Sequence, residues 1–402
     1  MLAKKVRELA AAIKPDLVAI RRHLHAHPEL SYHEYNTADY VSSQLTAMDI
    51  DHIRMSVTGI TGILKGKKTG DGPVLALRAD MDALPIHELH ESDYKSTNQG
   101  VMHACGHDFH MTSLLGTLRI LKTLEAEFSG EVKFIFQPAE ELAPGGALMM
   151  INDGVLENPR PLNIIGQHVM PELPAGEIGF HAGMYMASVD ELYLTITGKG
   201  GHAAAPHQVI DPVIISCELL VLLQQIVSRR TNPLLPAVLS FGRFIADGVH
   251  NVIPDKVTID GTLRTMDEKW RREAHELLKK TVTEYAASKG AAADLYIKEG
   301  YPVLFNEPAL TADTRKWTEE YLGKEQVVDI PKWMAGEDFA RYSHLLDSCF
   351  YRLGVQYPDS ENITPLHTAT FNPDEEALTT GAGLMAWITL CNLEKNAKAD
   401  WQ

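Results

Sequence analysis

VLALRADMDALP, residues 74–85, decides the reading of this chain. Val74, Leu75, Ala76 and Leu77 form a short apolar run of the buried-strand type, and it is followed at once by Arg78, Asp80 and Asp82. In open α/β sheets, ligands bind outside the carboxyl ends of the strands. The same arrangement recurs twice. Val132 to Phe136 is apolar and is followed by Gln137, Glu140 and Glu141; Leu162 to Ile165 is apolar and is followed by Gln167 and His168. Leu114, Leu115, Leu118 and Leu121 fall at helical spacing between the first two runs. Strand and helix alternate, which predicts an α/β domain with a largely parallel sheet. Upstream, residues 1–49 read as helical, with Ala38, Val41, Leu45 and Met48 on one face.

Downstream the pattern changes near residue 188. Strands are expected at 190–197, 237–246, 257–265 and 292–299, with helices at 210–229 and 267–289. That order, β-α-β-β-α-β, is ferredoxin-like and complete enough to be an inserted domain. After Pro302 the first pattern resumes, with helices near 310–322, 336–346 and 373–393. The expected organisation is one domain in two pieces, 1–187 and 302–402, around an inserted domain at 188–301.

The 402 residues are enough for two or three cores. A net charge of -16 repels phosphate backbones, so nucleic acid is not an expected partner, and an anionic substrate needs a local cation. No run of about 18 apolar residues is present, so no membrane span is expected. Residues 1–14 read as an amphipathic helix rather than a secretory leader. Cys105, Cys217, Cys349 and Cys391 follow no disulfide spacing, which suits a reducing compartment and gives a cytoplasmic expectation.

MHACGHDFH, residues 102–110, sets His103, Cys105, His107, Asp108 and His110 just before a helix. A thiolate and an imidazole two residues apart can address one ion, and five such side chains in nine residues read as a metal tract rather than a helix cap. Glu140 and Glu141 are adjacent carboxylates that repel; one is expected on a metal and the other on protons. His168 gains weight from its place at a strand end. His367, after Pro365, carries little by itself, and Glu337 and Asp338 read as the acidic first turn of a helix.

With these residues in view, the chain resembles the aminoacylase/carboxypeptidase family of two-metal amidohydrolases. The similar branch holds hippurate hydrolase, indole-acetyl-amino-acid hydrolases and N-acetyldiaminopimelate deacetylase. RRHLHAHPELSYHE at 21–34, RADMDALP at 78–85, HACGHDFH at 103–110, QPAEE at 137–141, GKGGHAAAPH at 198–207, NVIPD at 251–255, GTLRT at 261–265, GEDF at 336–339 and PLHTATF at 365–371 look like its motifs, in order. The resemblance implies a zinc-peptidase-like catalytic domain with a mostly parallel central sheet, interrupted by an inserted ferredoxin-like α+β lid or dimerisation domain.

It implies metal ligands at Cys105, His107, Glu141, His168 and His367, a general acid/base at Glu140, and an orienting acid at Asp82. His202, Asn251 and Arg264 are the implied substrate-binding residues. Read by itself, Arg264 is either a solvated strand residue or a clamp for a substrate carboxylate. Two divalent ions per subunit, Zn2+ or Mn2+, an N-acyl amino acid substrate, and a homodimer through the inserted domain or a higher assembly complete the expectation. Asp80 stands where most relatives in the wider family carry a histidine; the Cys105/His107 pair seats the missing coordination, as in the branch named above. The alternatives are a dipeptidase or carboxypeptidase with the same metal centre and a non-catalytic small-acid-binding protein on this fold.

Overall fold

The structure, a computed structural model, describes residues 1–70, 72–358 and 362–399. The chain forms two compact units, one of Met1–Gly183, Phe305–Pro331 and Asp338–Gln402, the other of Met184–Leu304 and Lys332–Glu337. The segment 332–337 therefore sits with the inserted unit and not with the resumed α/β part, where the sequence places it.

The first unit is built on an eight-stranded sheet. Its spatial order is His52–Met55, Gly59–Lys65, Glu131–Gln137, Val74–Asp80, Asn163–Pro174, Asp347–Gln356, Ile178–Phe180 and Val327–Asp329. The four strands from Glu131–Gln137 to Asp347–Gln356 run parallel, and antiparallel pairing enters toward the edges. The fold class is α/β, as expected. Strand Val74–Asp80 is buried along almost its whole length, in keeping with a central parallel strand covered on both faces. Helix His107–Thr123 packs between the sheet and the helices Lys14–Ala26 and Ala377–Ala399. Its Leu114, Leu115, Leu118 and Leu121 are fully buried.

Two elements depart from expectation here. Strand Asp347–Gln356 is central but lies in a stretch to which the sequence reading gives no element, although Phe350, Tyr351, Leu353 and Val355 are all buried. The helix expected at 336–346 is a single turn, Ala340–Ser343. Its upstream acid Asp338 is not a helix cap: it is buried and ion-paired with Arg78 at 2.7 Å.

The second unit holds a four-stranded antiparallel sheet in the order Ala237–Ile245, Lys256–Thr265, Ser188–Thr197, Ala292–Glu299. Helices Pro212–Gln225 and Glu268–Ser288 complete the β-α-β-β-α-β order. Strand Ser188–Thr197 alternates, with Leu192, Leu194 and Ile196 directed into a core shared with Leu219, Leu223, Leu278 and Val282. Asp211 and Asp267 cap the two helices, accepting the Val213 N–H at 2.8 Å and the Trp270 N–H at 2.7 Å.

Candidate metal centre

Five segments of the first unit deliver the site, the last of them the loop that carries His367. Strand Val74–Asp80 leads to Asp82, strand Glu131–Gln137 leads to Glu140 and Glu141, and strand Asn163–Pro174 carries His168 near the middle of its length. The fourth segment is the N-terminus of helix His107–Thr123. Gly106 precedes that helix with φ 81°, and a Cβ there would come 2.5 Å from the Val169 Cγ2 atom. Only glycine combines this conformation with this approach. It lets the helix start press against the strand beside His168, which joins Cys105 and His107 to His168.

The resulting group is tight. Cys105 Sγ lies 3.4 Å from His168 Nε2 and 3.3 Å from His367 Nε2. Glu141 Oε1 lies 3.3 Å from His367 Nε2 and 3.8 Å from His107 Nε2. Three overlapping sets, Cys105/His107/His168, Cys105/Glu141/His367 and His107/Glu140/Glu141, each hold their donor atoms within 4.8 Å of one another. His367 reaches the group from a loop, with φ 61° and its N–H donated to the Ala104 carbonyl at 2.8 Å.

The cluster of five side chains at 103–110 divides. Cys105 and His107 enter the donor group. His103 is buried with neither ring nitrogen hydrogen-bonded, and burial pushes it down to about 4. Asp108 pairs with Arg21 at 2.9 Å and His25 at 2.8 Å. His110 and Asp108 lie inside the helix rather than before it. His110 Nδ1 is 2.6 Å from Asp80, and its Nε2 accepts the Val169 N–H at 2.9 Å.

Asp82 sits behind the group with 1% exposure. Its oxygens accept the Glu140 N–H and the Glu141 N–H, each at 3.0 Å, and the Ser31 hydroxyl at 2.6 Å. His107 Nδ1 lies 3.3 Å from it. Glu140 is buried, and its Oε1 accepts the Asp338 N–H at 3.4 Å. Asp338 in turn accepts the Ala147 N–H at 2.9 Å and the Gln137 amide at 2.8 Å. Gly146, where this loop closes, leaves no room for a side chain: a Cβ would lie 1.8 Å from the Pro138 carbonyl oxygen.

The electrostatics point one way. Burial acts to lower the pKa of His107, but Asp80, Asp82 and Glu141 outweigh it and push it up to about 10. Burial, then Glu141 and Glu140, drives the Cys105 thiol well up. Burial, then Arg352, drives His168 well down. Acids crowd a thiol and three imidazoles in a dry setting, which leaves the pocket short of positive charge. His107 Nε2 and Glu141 Oε1 are buried with no hydrogen-bond partner. Orphaned donor atoms at this density, of thiolate, imidazole and carboxylate type, fit divalent cations.

His202, Asn251 and Arg264 belong to the second unit. A two-stranded ladder pairs His202 with Val252, and the Ala203 N–H donates to the Asn251 carbonyl at 3.0 Å, so His202 and Asn251 are neighbours. Both are exposed. Arg264 is half-buried in strand Lys256–Thr265, away from that ladder in sequence and sheet. Sequence reasoning gave Ser31 and Arg78 no role of their own and read Asp338 as a helix's acidic first turn; in the structure the three hold Asp82 and the Glu140 loop.

Residues 76–390 match the model of peptidase family M20/M25/M40. The N-acyl-L-amino acid amidohydrolase of Geobacillus stearothermophilus is 42% identical over 76% of this chain and 82% of its own length. Thermostable carboxypeptidase 2 of Saccharolobus solfataricus is 34% identical over 95% and 96%. Among solved structures, the YXEP protein of Bacillus subtilis, a dinuclear metal binding peptidase from the M20 family, is similar with a TM-score of 0.83 at 35% identity, over 96% of this chain and 99% of that one.

Proposed function

The chain belongs to peptidase family M20/M25/M40, and from that premise we propose that it is a metal-dependent amidohydrolase cleaving N-acyl amino acids to a free amino acid and a carboxylic acid. The observation that carries the reading is the convergence of Cys105, His107, Glu141, His168 and His367 into one buried donor group beside Glu140. These five residues would hold two divalent ions. Thiolate and imidazole suit zinc, while the carboxylates also accept manganese. When bound, such ions lower the pKa of water and polarise the amide carbonyl.

The chain's own residues do the rest. The Glu140 carboxylate takes the proton of the attacking water and returns it to the nitrogen of the leaving amine. Asp82 fixes the backbone of Glu140 and Glu141 through two amides and orients His107 from behind. Arg264 offers a guanidinium to the carboxylate of the amino-acid product half, which resolves how an acidic protein accepts an acid. His202 and Asn251 bind substrate polar groups from the inserted unit. Amidohydrolase and carboxypeptidase relatives both support hydrolysis of an amide next to a carboxylate-bearing residue.

Two further proposals follow from the same reading. Four free cysteines suit a cytoplasmic setting. The helical stretch Pro212–Arg230 is apolar yet mostly unburied, with Ile214 and Val221 exposed. A second copy of the chain would cover that face.

The test is hydrolysis of N-acetyl, N-benzoyl and indole-acetyl amino acids and of unblocked dipeptides, by protein stripped with chelator and reloaded with Zn2+ or Mn2+. Turnover of acylated amino acids that requires metal and is lost in Glu140→Ala is the expected result. Turnover of dipeptides alone selects the carboxypeptidase reading, and full metal loading with no turnover of any compound defeats both.

A further inference from the structure

Ala139 immediately precedes the two acids of the site and adopts φ 50°, a left-handed conformation that is unfavourable for alanine. Its carbonyl accepts the Gly146 N–H at 2.9 Å, and its N–H is held by Glu34. This carboxylate is fully buried. Its Oε1 accepts the Ala139 N–H at 2.8 Å and the Tyr32 N–H at 3.0 Å, and its Oε2 accepts the Thr58 hydroxyl at 2.7 Å. Asp82 accepts the next two amides, of Glu140 and Glu141. Three consecutive N–H groups thus converge on two buried carboxylates. Successive amides in such a turn form a concave nest for an anion; here the protein's own side chains fill it.

The grip continues along the loop. The Tyr32 hydroxyl donates to the Leu142 carbonyl at 2.8 Å and accepts the Gly145 N–H at 3.3 Å, and Ser31 bonds Asp82. Residues 31–34 therefore hold the acidic loop directly at three points, Ala139, Leu142 and Gly145, and brace the Asp82 that holds Glu140 and Glu141, with Glu34 at the strained point. We propose that Glu34 is a positioning residue for amide hydrolysis, fixing the backbone from which Glu140 meets the substrate and Glu141 faces the metal; the proposal rests on the amidohydrolase reading above. Loss of the Glu34 carboxylate frees Ala139 to relax to negative φ, which swings the two following side chains out of register together.

The experiment compares Glu34→Ala, Glu34→Gln and Thr58→Val, each measured for kcat, KM, melting temperature and retention of zinc against a competing chelator. Glutamine can still accept the Ala139 and Tyr32 amides while donating to Thr58, whose hydroxyl serves in either sense. Glu34→Ala is expected to lower kcat by about 100-fold with KM changed by less than about threefold, and to weaken zinc retention by about tenfold. Glu34→Gln should restore both to within about threefold of the parent, and Thr58→Val should melt earlier while keeping both. If Glu34→Ala only melts earlier, like Thr58→Val, with kcat and zinc retention unchanged, Glu34 is merely structural and the proposal falls. Should Glu34→Ala fail to fold, Glu34→Asp, one methylene short of Ala139, replaces it with the same expected losses. If the parent protein turns over no substrate, the function reading fails alone, because the zinc comparison still decides the role of Glu34.

Discussion

Arg264 illustrates what one residue can disclose. Its guanidinium is half-buried, yet its hydrogen-bond partners are neutral, Thr262 Oγ1 at 3.2 Å from Nε and the Met334 carbonyl at 3.5 Å from Nη1, and Asp190, the acid whose charge reaches it, is already paired with Arg271 and His275. Among the described residues it forms no ion pair, and burial pushes its pKa down. A half-buried cation without a counter-ion is costly unless an anion arrives to meet it. Arg264→Ala is therefore expected to raise KM roughly 10- to 100-fold for N-acyl amino acids and to leave the matching amides that lack the carboxylate within about threefold. Steady-state kinetics on the paired substrates checks this, and equal changes on both would remove the carboxylate role. At this scale, the residues that converge were largely legible beforehand, because acids and histidines that follow apolar strands fall at the carboxyl edge of a sheet. The residues that hold them were not. Glu34, Ser31 and Asp338 act through hydrogen bonds to residues remote in sequence, and a lone polar side chain leaves no periodic trace in sequence.

Among elements, strand Ser188–Thr197 carries a buried charge cluster of its own. Asp190 is fully buried, 2.5 Å from Arg271 and 2.7 Å from His275. Burial acts to raise its pKa, but His275 and Arg271 outweigh it and hold it below the ordinary carboxylate range. A carboxyl depressed in the folded state stabilises above its unfolded pKa, near 3.9, and that stability is lost as pH falls through the folded value. Urea unfolding of the inserted unit should accordingly be flat with pH near neutrality and weaken below about pH 4, and Asp190→Ala should cost about 3–5 kcal/mol at neutral pH by taking from Arg271 its buried partner and leaving it only Glu268 at 3.3 Å. An unchanged denaturation midpoint would show that Glu268 and water satisfy Arg271. The β-α-β-β-α-β order of this unit was readable because its strands alternate and its helices are long and capped. In the first unit the parallel strands were readable as apolar runs. Strand Asp347–Gln356 escaped because it is continuously buried and follows an acidic segment that mimics a helix start; Asp338 owes its burial to Arg78, 260 residues away, which no local pattern can report.

For the molecule as a whole, the five proposed metal donors, Cys105, His107, Glu141, His168 and His367, all lie in the first unit. Ions that bind the folded state and not the unfolded chain stabilise it by mass action, about 2.7 kcal/mol at a free concentration of 100 Kd. Calorimetry of chelated protein titrated with Zn2+ is expected to show the melting temperature climbing with free metal, and a Cys105→Ser/His367→Ala variant should lose most of that climb. A melting temperature indifferent to zinc in the parent protein would show that the donor group does not close on an ion. The same distribution of donors has a bearing on synthesis. Cys105 and His367 are 262 residues apart, and the whole inserted unit lies between them. At about 5–20 residues per second, the ribosome releases His367 roughly 10–50 s after Cys105. Throughout that interval the nascent chain carries a thiol and two imidazoles with no final partner, open to stray ions or oxidants, and no N-terminal fragment can hold the complete set. The hydrolase therefore becomes competent only after His367 has been made, so its activity is timed by the order in which its ligands are made.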